Sequence, residues 1–116
     1  MILVVGAMAS GKRSYVKSLG YEDADIADGI LDEQPVLDNL ENLVYRFPEN
    51  AVEMLPALLS KDVIICQEIG SGIIPVDFDQ VAIRRITGKL CILLAKQATQ
   101  VVRLVCGVPT VIKDTN

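Results

Sequence analysis

The sequence predicts an α/β fold: a mostly parallel central sheet with helices on both faces, formed as a single domain over residues 1–116. Two observations predict it. Continuous aliphatic runs at Met1 to Val5, Val63 to Cys66 and Gln100 to Cys106 alternate with helix-compatible stretches, and alternating strands and helices bury a parallel sheet between helical layers. The first run also passes straight into the Gly-rich stretch Gly6-Ala7-Met8-Ala9-Ser10-Gly11, so strand, turn and helix follow in order. Hydrophobic residues make up 51% of the chain and aromatics only 4%, so Val, Ile and Leu fill the core.

Met1 to Val5 is β-branched and aliphatic and reads as a strand. From Lys12 the chain is helix-compatible through Leu19, and Gly20 suits the residue that ends a helix. Tyr21 to Gln34 is acidic and weakly patterned, with a short strand expected at Ala24 to Ala27. Pro35 fits a first helical turn, and Val36, Leu37, Leu40, Leu43, Val44 and Phe47 follow at helical spacing, predicting a helix up to Pro48. A second helix is expected over Glu49 to Ser60, kinked or shortened by Pro56. Val63 to Cys66 reads as a central strand buried on both faces. Gly70, Gly72 and Pro75 make a loop, and Asp77 with Gln80 has the spacing of a capping box opening a helix to about Gln97. After the strand Gln100 to Cys106, Gly107-Val108-Pro109 separates off a last extended segment, Thr110 to Lys113.

Composition excludes several classes. Fifteen acidic against eleven basic residues give a formal charge of −4, which argues against nucleic acid or an anionic membrane surface as partner. No apolar run approaches the roughly 20 residues that span a bilayer, and no cationic segment precedes the first run as in a signal peptide. Cys66, Cys91 and Cys106 lie among aliphatic residues with no CxxC pair, and read as small buried hydrophobes in a reducing cytoplasm. The chain has no histidine, which removes the commonest general base and any phosphohistidine or nucleotidyl-histidine intermediate.

Gly6-x-x-x-x-Gly11-Lys12 matches the phosphate-binding loop at every fixed position before the final Ser/Thr. Glycines let the backbone curl so that N–H groups point at phosphate oxygens, the following helix presents its positive end, and the lysine neutralises the β- and γ-phosphates. The sequence therefore predicts a P-loop NTPase-like three-layer fold in which Gly6, Ala7, Met8, Ala9, Ser10, Gly11, Lys12, Arg13 and Ser14 hold ATP or GTP. Mg²⁺ is expected with the nucleotide, yet Arg13 stands where Ser or Thr normally ligates it, and Ser14 is one place too late. Either another oxygen or water holds the metal while Arg13 adds charge near the phosphates, or metal affinity and turnover are weakened.

Glu68 follows the strand Val63 to Cys66, where such proteins place an acid for the metal or its waters, so Lys12 and Glu68 are the candidate catalytic pair. Asp28 is a weaker candidate for the same role. Arg84 and Arg85, with Lys89, are weak candidates for contacting an anion and otherwise form the exposed side of their helix. Gly70 and Gly72 sit at the carboxyl end of a central strand, the edge at which open parallel sheets bind ligands.

Three blocks of this chain resemble the bifunctional adenosylcobinamide kinase/adenosylcobinamide-phosphate guanylyltransferase family of cobalamin biosynthesis. Met1 to Lys12 is similar to its opening strand and loop ending in Ser-Gly-Lys. Val63 to Pro75 is similar to its strand followed by Asn-Glu-Val-Gly-x-Gly-Ile-Val-Pro, and is the most specific block. Arg84 to Leu90 is similar to its Arg-rich helix, and Val101 to Lys113 to its closing strand, Gly-x-Pro turn and Ile-Lys. The resemblance implies a kinase-like protein that transfers phosphate from ATP or GTP to the aminopropanol hydroxyl of a cobinamide. The family's guanylyltransferase step runs through a histidine, so that half-reaction is expected to be absent. A non-catalytic nucleotide-binding module is the alternative. The chain is shorter than full-length members, the loss falling between Gly20 and Lys61, and it has Arg13 where they have Ser. Members assemble as trimers, which implies a homo-oligomer.

Overall fold

A computed structural model describes residues 1–68 and 78–115. The Gly70, Gly72 and Pro75 loop and the Asp77 end of the expected capping box lie outside them. The elements run β1 (Ile2–Gly6), α1 (Lys12–Ser18), β2 (Ile26–Asp28), β3 (Val36–Asp38), α2 (Leu40–Arg46), α3 (Leu55–Leu59), β4 (Val63–Gln67), α4 (Phe78–Gln97), β5 (Gln100–Val105) and β6 (Val108–Asp114). Six strands form one sheet in the order β2-β3-β4-β1-β5-β6. The first five are parallel, and β6 returns antiparallel to β5. The fold is thus α/β with a mixed, mostly parallel sheet.

Both faces of this sheet are covered, which is why its central strands read as unbroken aliphatic runs. Successive residues point to opposite sides. Val4, Val36, Val63, Ile65, Val102 and Leu104 pack with Val16 of α1. Leu3, Leu37, Ile64 and Cys66 pack on the other face with Leu40 and Leu43 of α2, Leu58 of α3, and Leu90 and Leu94 of α4. Each fully buried aliphatic side chain contributes about 1.5–3 kcal/mol by leaving water. No described helix is long and apolar enough to cross a membrane.

The chain departs from expectation in three places. The helix predicted from Pro35 is instead strand β3, a left-handed Asn39 (φ 55°, ψ 55°) and the shorter helix α2. Val36 and Leu37 are both wholly buried, one in each face's cluster, a placement that only a strand gives to adjacent residues. The Pro35 carbonyl accepts the Asp62 N–H at 2.9 Å, which seats β3 beside β4. The strand expected at Ala24 to Ala27 lies at Ile26–Asp28, after a 3₁₀ turn at Asp23–Asp25. The helix expected over Glu49 to Ser60 is shortened, as expected of Pro56, to α3: Pro56 occupies its first turn, where its missing N–H costs nothing, after a second 3₁₀ turn at Val52–Met54.

The third departure is at the carboxyl end. Val108 and Pro109 are strand rather than spacer, since β5 and β6 are joined by a two-residue turn, Cys106-Gly107, with φ of 49° and 78°. Positive φ at both positions matches the twist of a tight hairpin, and Pro109 is tolerated because β6 is an edge strand. Cys106 is therefore exposed, correcting the expectation that all three cysteines are buried; Cys66 is buried and Cys91 half-buried. The Cys91 and Cys66 sulfurs lie 3.4 Å apart between α4 and β4. Hydrogen bonding to Cys91, followed by burial, pushes the Cys66 thiol well above its usual range.

Two glycines with opposite surroundings give a stability test. A Cβ on Gly6 would lie 2.5 Å from Ser10 Oγ and 2.8 Å from the Leu104 carbonyl oxygen, whereas one on Gly88 in α4 meets nothing within 4 Å. In denaturant unfolding, Gly6→Ala is expected to destabilise by about 1–3 kcal/mol through overpacking. Gly88→Ala is expected to stabilise by about 0.5–1 kcal/mol through helix propensity.

Candidate functional site

All five parallel strands end at one edge of the sheet, and the loop between β1 and α1 emerges from its middle. Gly6 is the tight point, because the Ser10 side chain and the Leu104 carbonyl occupy the space a Cβ needs. Beyond it Ala9 (φ 57°) and Gly11 (φ 91°) adopt left-handed backbone, the kind of conformation from which N–H groups converge on an anion. The Ser10 N–H donates to the Ala7 carbonyl at 3.2 Å, and the Gly107 N–H in the β5–β6 turn donates to the Ser10 carbonyl at 2.8 Å. The hairpin thus braces the loop. Gly11 packs so closely on that turn that a Cβ would lie 3.3 Å from Gly107 Cα.

Lys12 curls back over the loop, its ammonium donating to the Ala7 carbonyl at 2.7 Å and the Gly6 carbonyl at 3.1 Å. The Ser10 side chain is buried, and its Oγ has no hydrogen-bond partner among the described residues. A cavity of about 370 Å³ opens on the β3–β4 side of the loop, lined by Met8 to Ser14 with Asp38, Asn39, Glu41 and Gln67. A second, of about 300 Å³, lies on the β5 side between Ala7 to Ser10, Glu68 and Arg103 to Cys106.

The charges on the β3–β4 side are ordered. Arg13 Nη1 lies 3.2 Å from Asp38 Oδ2, and Asp38 is only 10% exposed. The Asn39 N–H donates to the other carboxylate oxygen, Oδ1, at 2.7 Å. Arg13 Nη2 lies 3.6 Å from Asp23, which is 71% exposed and held at 2.6 Å by Lys17. The outer contacts are surface ion pairs worth little, while the inner one joins a fixed cation to a largely desolvated carboxylate. The Gln67 N–H donates to Glu41 at 3.3 Å.

Glu68 lies on the β5 side of the loop. Its N–H donates to the Gly6 carbonyl at 2.7 Å, and its carboxylate receives Arg103 through two contacts, Nε at 3.0 Å and Nη2 at 3.2 Å. It lines the β5-side cavity, whereas the acids lining the Lys12 cavity are Asp38 and Glu41. Asp28 accepts from the Asn39 side-chain amide. Arg84 is half-buried and Arg85 exposed on α4, outside the lining of both cavities. Gly70 and Gly72 lie outside the described residues.

This donor set does not fit a Mg²⁺ held by the loop. The position that normally offers a hydroxyl presents a guanidinium, and both oxygens of the strand-end Asp38 already accept hydrogen bonds. No group of three or more Cys, Asp or Glu suited to a metal occurs among the described residues. No protein-family model matches this chain, and no curated protein matches it. The residues themselves must carry the functional reading.

Sequence reasoning missed Asp38, Glu41 and Arg103. Asp38 was within reach, since Val36-Leu37-Asp38 is an aliphatic pair ending in an acid; assigning it to a helix hid that it ends a central strand. Arg103 carried no signal, as it only becomes relevant once β5 is known to flank β1.

The Lys17 hydrogen bond, then its charge, and then Arg13 hold the Asp23 carboxyl below its ordinary value. Its contribution to stability is accordingly present at neutral pH and lost as pH falls through the depressed value. An NMR titration is expected to place the Asp23 midpoint below that of a free aspartate, and Lys17→Ala to raise it. The stability difference between wild type and Asp23→Asn should vanish in acid.

Proposed function

We propose that this chain is a nucleotide-binding protein of the P-loop NTPase type, in which Gly6 to Ser14 hold the phosphates of ATP or GTP. One observation carries the reading: the Lys12 ammonium, the left-handed loop backbone and the buried Ser10 hydroxyl, unpartnered among the described residues, lie beside one cavity at the carboxyl edge of the parallel strands. Strand edges of this kind bind ligands. On binding, Lys12 exchanges its two loop carbonyls for phosphate oxygens, which are stronger, charge-assisted acceptors.

The resemblance to adenosylcobinamide kinases supports a phosphotransferase acting on a cobinamide hydroxyl. In that reaction the acceptor oxygen bonds to the γ-phosphorus as the bond to the β–γ bridging oxygen breaks, and the hydroxyl proton passes to a carboxylate or to solvent. Glu68, beside the loop and fixed by Arg103, is the residue assigned to orient the acceptor. Such transfer depends on positioning and charge neutralisation more than on covalent chemistry. A second reading, a nucleotide-binding module without turnover, is favoured by the engagement of Asp38 with Arg13.

Isothermal titration with ATP and GTP, followed by a nucleotide-consumption assay with cobinamide, separates the two. Binding that Lys12→Ala weakens at least about tenfold supports the loop assignment. Consumption that depends on cobinamide supports the kinase, and binding without consumption supports the module. No binding of either nucleotide overturns both.

A further inference from the structure

We infer that the Arg13 guanidinium takes the place of the divalent cation at this site, so that the ligand is a metal-free nucleoside triphosphate. The inference rests on the nucleotide-binding reading above and deepens it.

In phosphate-binding loops a Mg²⁺ ion is held by the hydroxyl that follows the loop lysine together with an aspartate from elsewhere in the fold. Both ends of that bridge are identifiable here. Arg13 follows Lys12 directly, and Asp38 ends β3, two strands from β1. What spans them is the arginine side chain, with Nη1 3.2 Å from Asp38 Oδ2. Both residues line the cavity that contains Lys12.

The chemistry of the substitution is consistent. A guanidinium stays protonated at every physiological pH and carries five donors in a planar fork suited to phosphate. One nitrogen is committed to Asp38, while the other contact, to Asp23 at 3.6 Å, is long and solvent-exposed. Asp23 has a closer partner in Lys17, so a phosphate can displace it at little cost. The arginine is 39% exposed and faces open space along the loop. A divalent ion arriving between Asp38 and the phosphates would meet a like charge and a carboxylate whose two oxygens already accept hydrogen bonds. The phosphates thus meet two adjacent fixed cations, Lys12 and Arg13, in place of one lysine and a metal.

The test is isothermal titration of wild type, Arg13→Ser, Arg13→Gln, Arg13→Lys and Lys12→Ala with ATP and GTP, in EDTA and again in excess Mg²⁺. Wild type is expected to bind in EDTA at least as tightly as in Mg²⁺. Arg13→Ser is expected to lose at least about tenfold in EDTA and to regain it with Mg²⁺, while Arg13→Lys keeps metal-free binding. Arg13→Gln retains the length of the side chain without its charge, and serves if the serine variant does not fold; it should show the same loss in EDTA. Wild-type binding that tightens about tenfold or more with Mg²⁺ and is lost in Lys12→Ala would overturn this inference while leaving the nucleotide site intact. Unchanged metal-free binding in both neutral variants would overturn it as well. Absence of binding in either buffer would remove the nucleotide reading itself, and the inference with it.

Discussion

Everything at the candidate site depends on the crowding at Gly6. β1 lies between two parallel neighbours, β4 and β5, and is covered on both faces, so its carboxyl end can leave the sheet only upward, between the ends of those strands. There the Ser10 side chain and the Leu104 carbonyl already fill the volume next to Cα. With a glycine in that position the loop can fold back on the strand end, and Lys12 can reach the carbonyls of Gly6 and Ala7. The Glu68 N–H takes the same Gly6 carbonyl from the β4 side. One residue without a side chain therefore sets the height of the loop, the direction of its lysine and the start of the segment after β4.

The second organising feature is the sorting of charge along this edge. A chain with net charge −4 would repel a polyanion unless local cations outweigh its acids. Three acids near the loop have a basic partner: Arg13 lies on Asp38, Lys17 on Asp23, and Arg103 on Glu68, while Glu41 accepts the Gln67 N–H. Pairing reduces the local repulsion, and Lys12, bonded only to neutral carbonyls among the contacts described, keeps its full charge for an incoming anion. Overall charge is thus a poor guide to what the loop attracts.

Legibility in the sequence followed how much each segment's pattern depended on distant partners. β1, the loop, α1 and β4 were readable because their signals are local: an aliphatic run, fixed glycines, a lysine, a terminating Gly20 with φ 110°. β3 was not, because three apolar positions beginning Val36-Leu37 and continuing at Leu40 fit a helix and a strand followed by a helix equally well. The deciding facts are the β4 neighbour and the left-handed Asn39 between strand and helix. β6 was half-readable for a similar reason: Cys106 is an unusual residue for positive φ, so the tight turn was legible only as Gly107. At the site, the loop residues could be named from the motif, but the acids beside them follow from strand order, which no local pattern encodes.

The Arg13–Asp38 pair also bears on how chemistry would proceed if the chain transfers phosphate. A carboxylate held by a fixed cation is neutralised without leaving the protein, so the desolvation that a free Asp38 would suffer is offset in the folded state itself. The same pairing holds a positive group in the lining of the loop cavity before any ligand arrives, and preorganised charge needs no rearrangement at the moment of reaction. Arginines that reach a transferring phosphoryl group from the same chain stabilise its developing charge and raise turnover by about 10³–10⁵ in nucleotide hydrolases. Arg13 has the charge and the donors such a duty needs, and it lines the same cavity as Lys12. On the inference drawn above, an arginine after the loop lysine in place of the usual hydroxyl would exchange a cation recruited from solution for one carried by the chain.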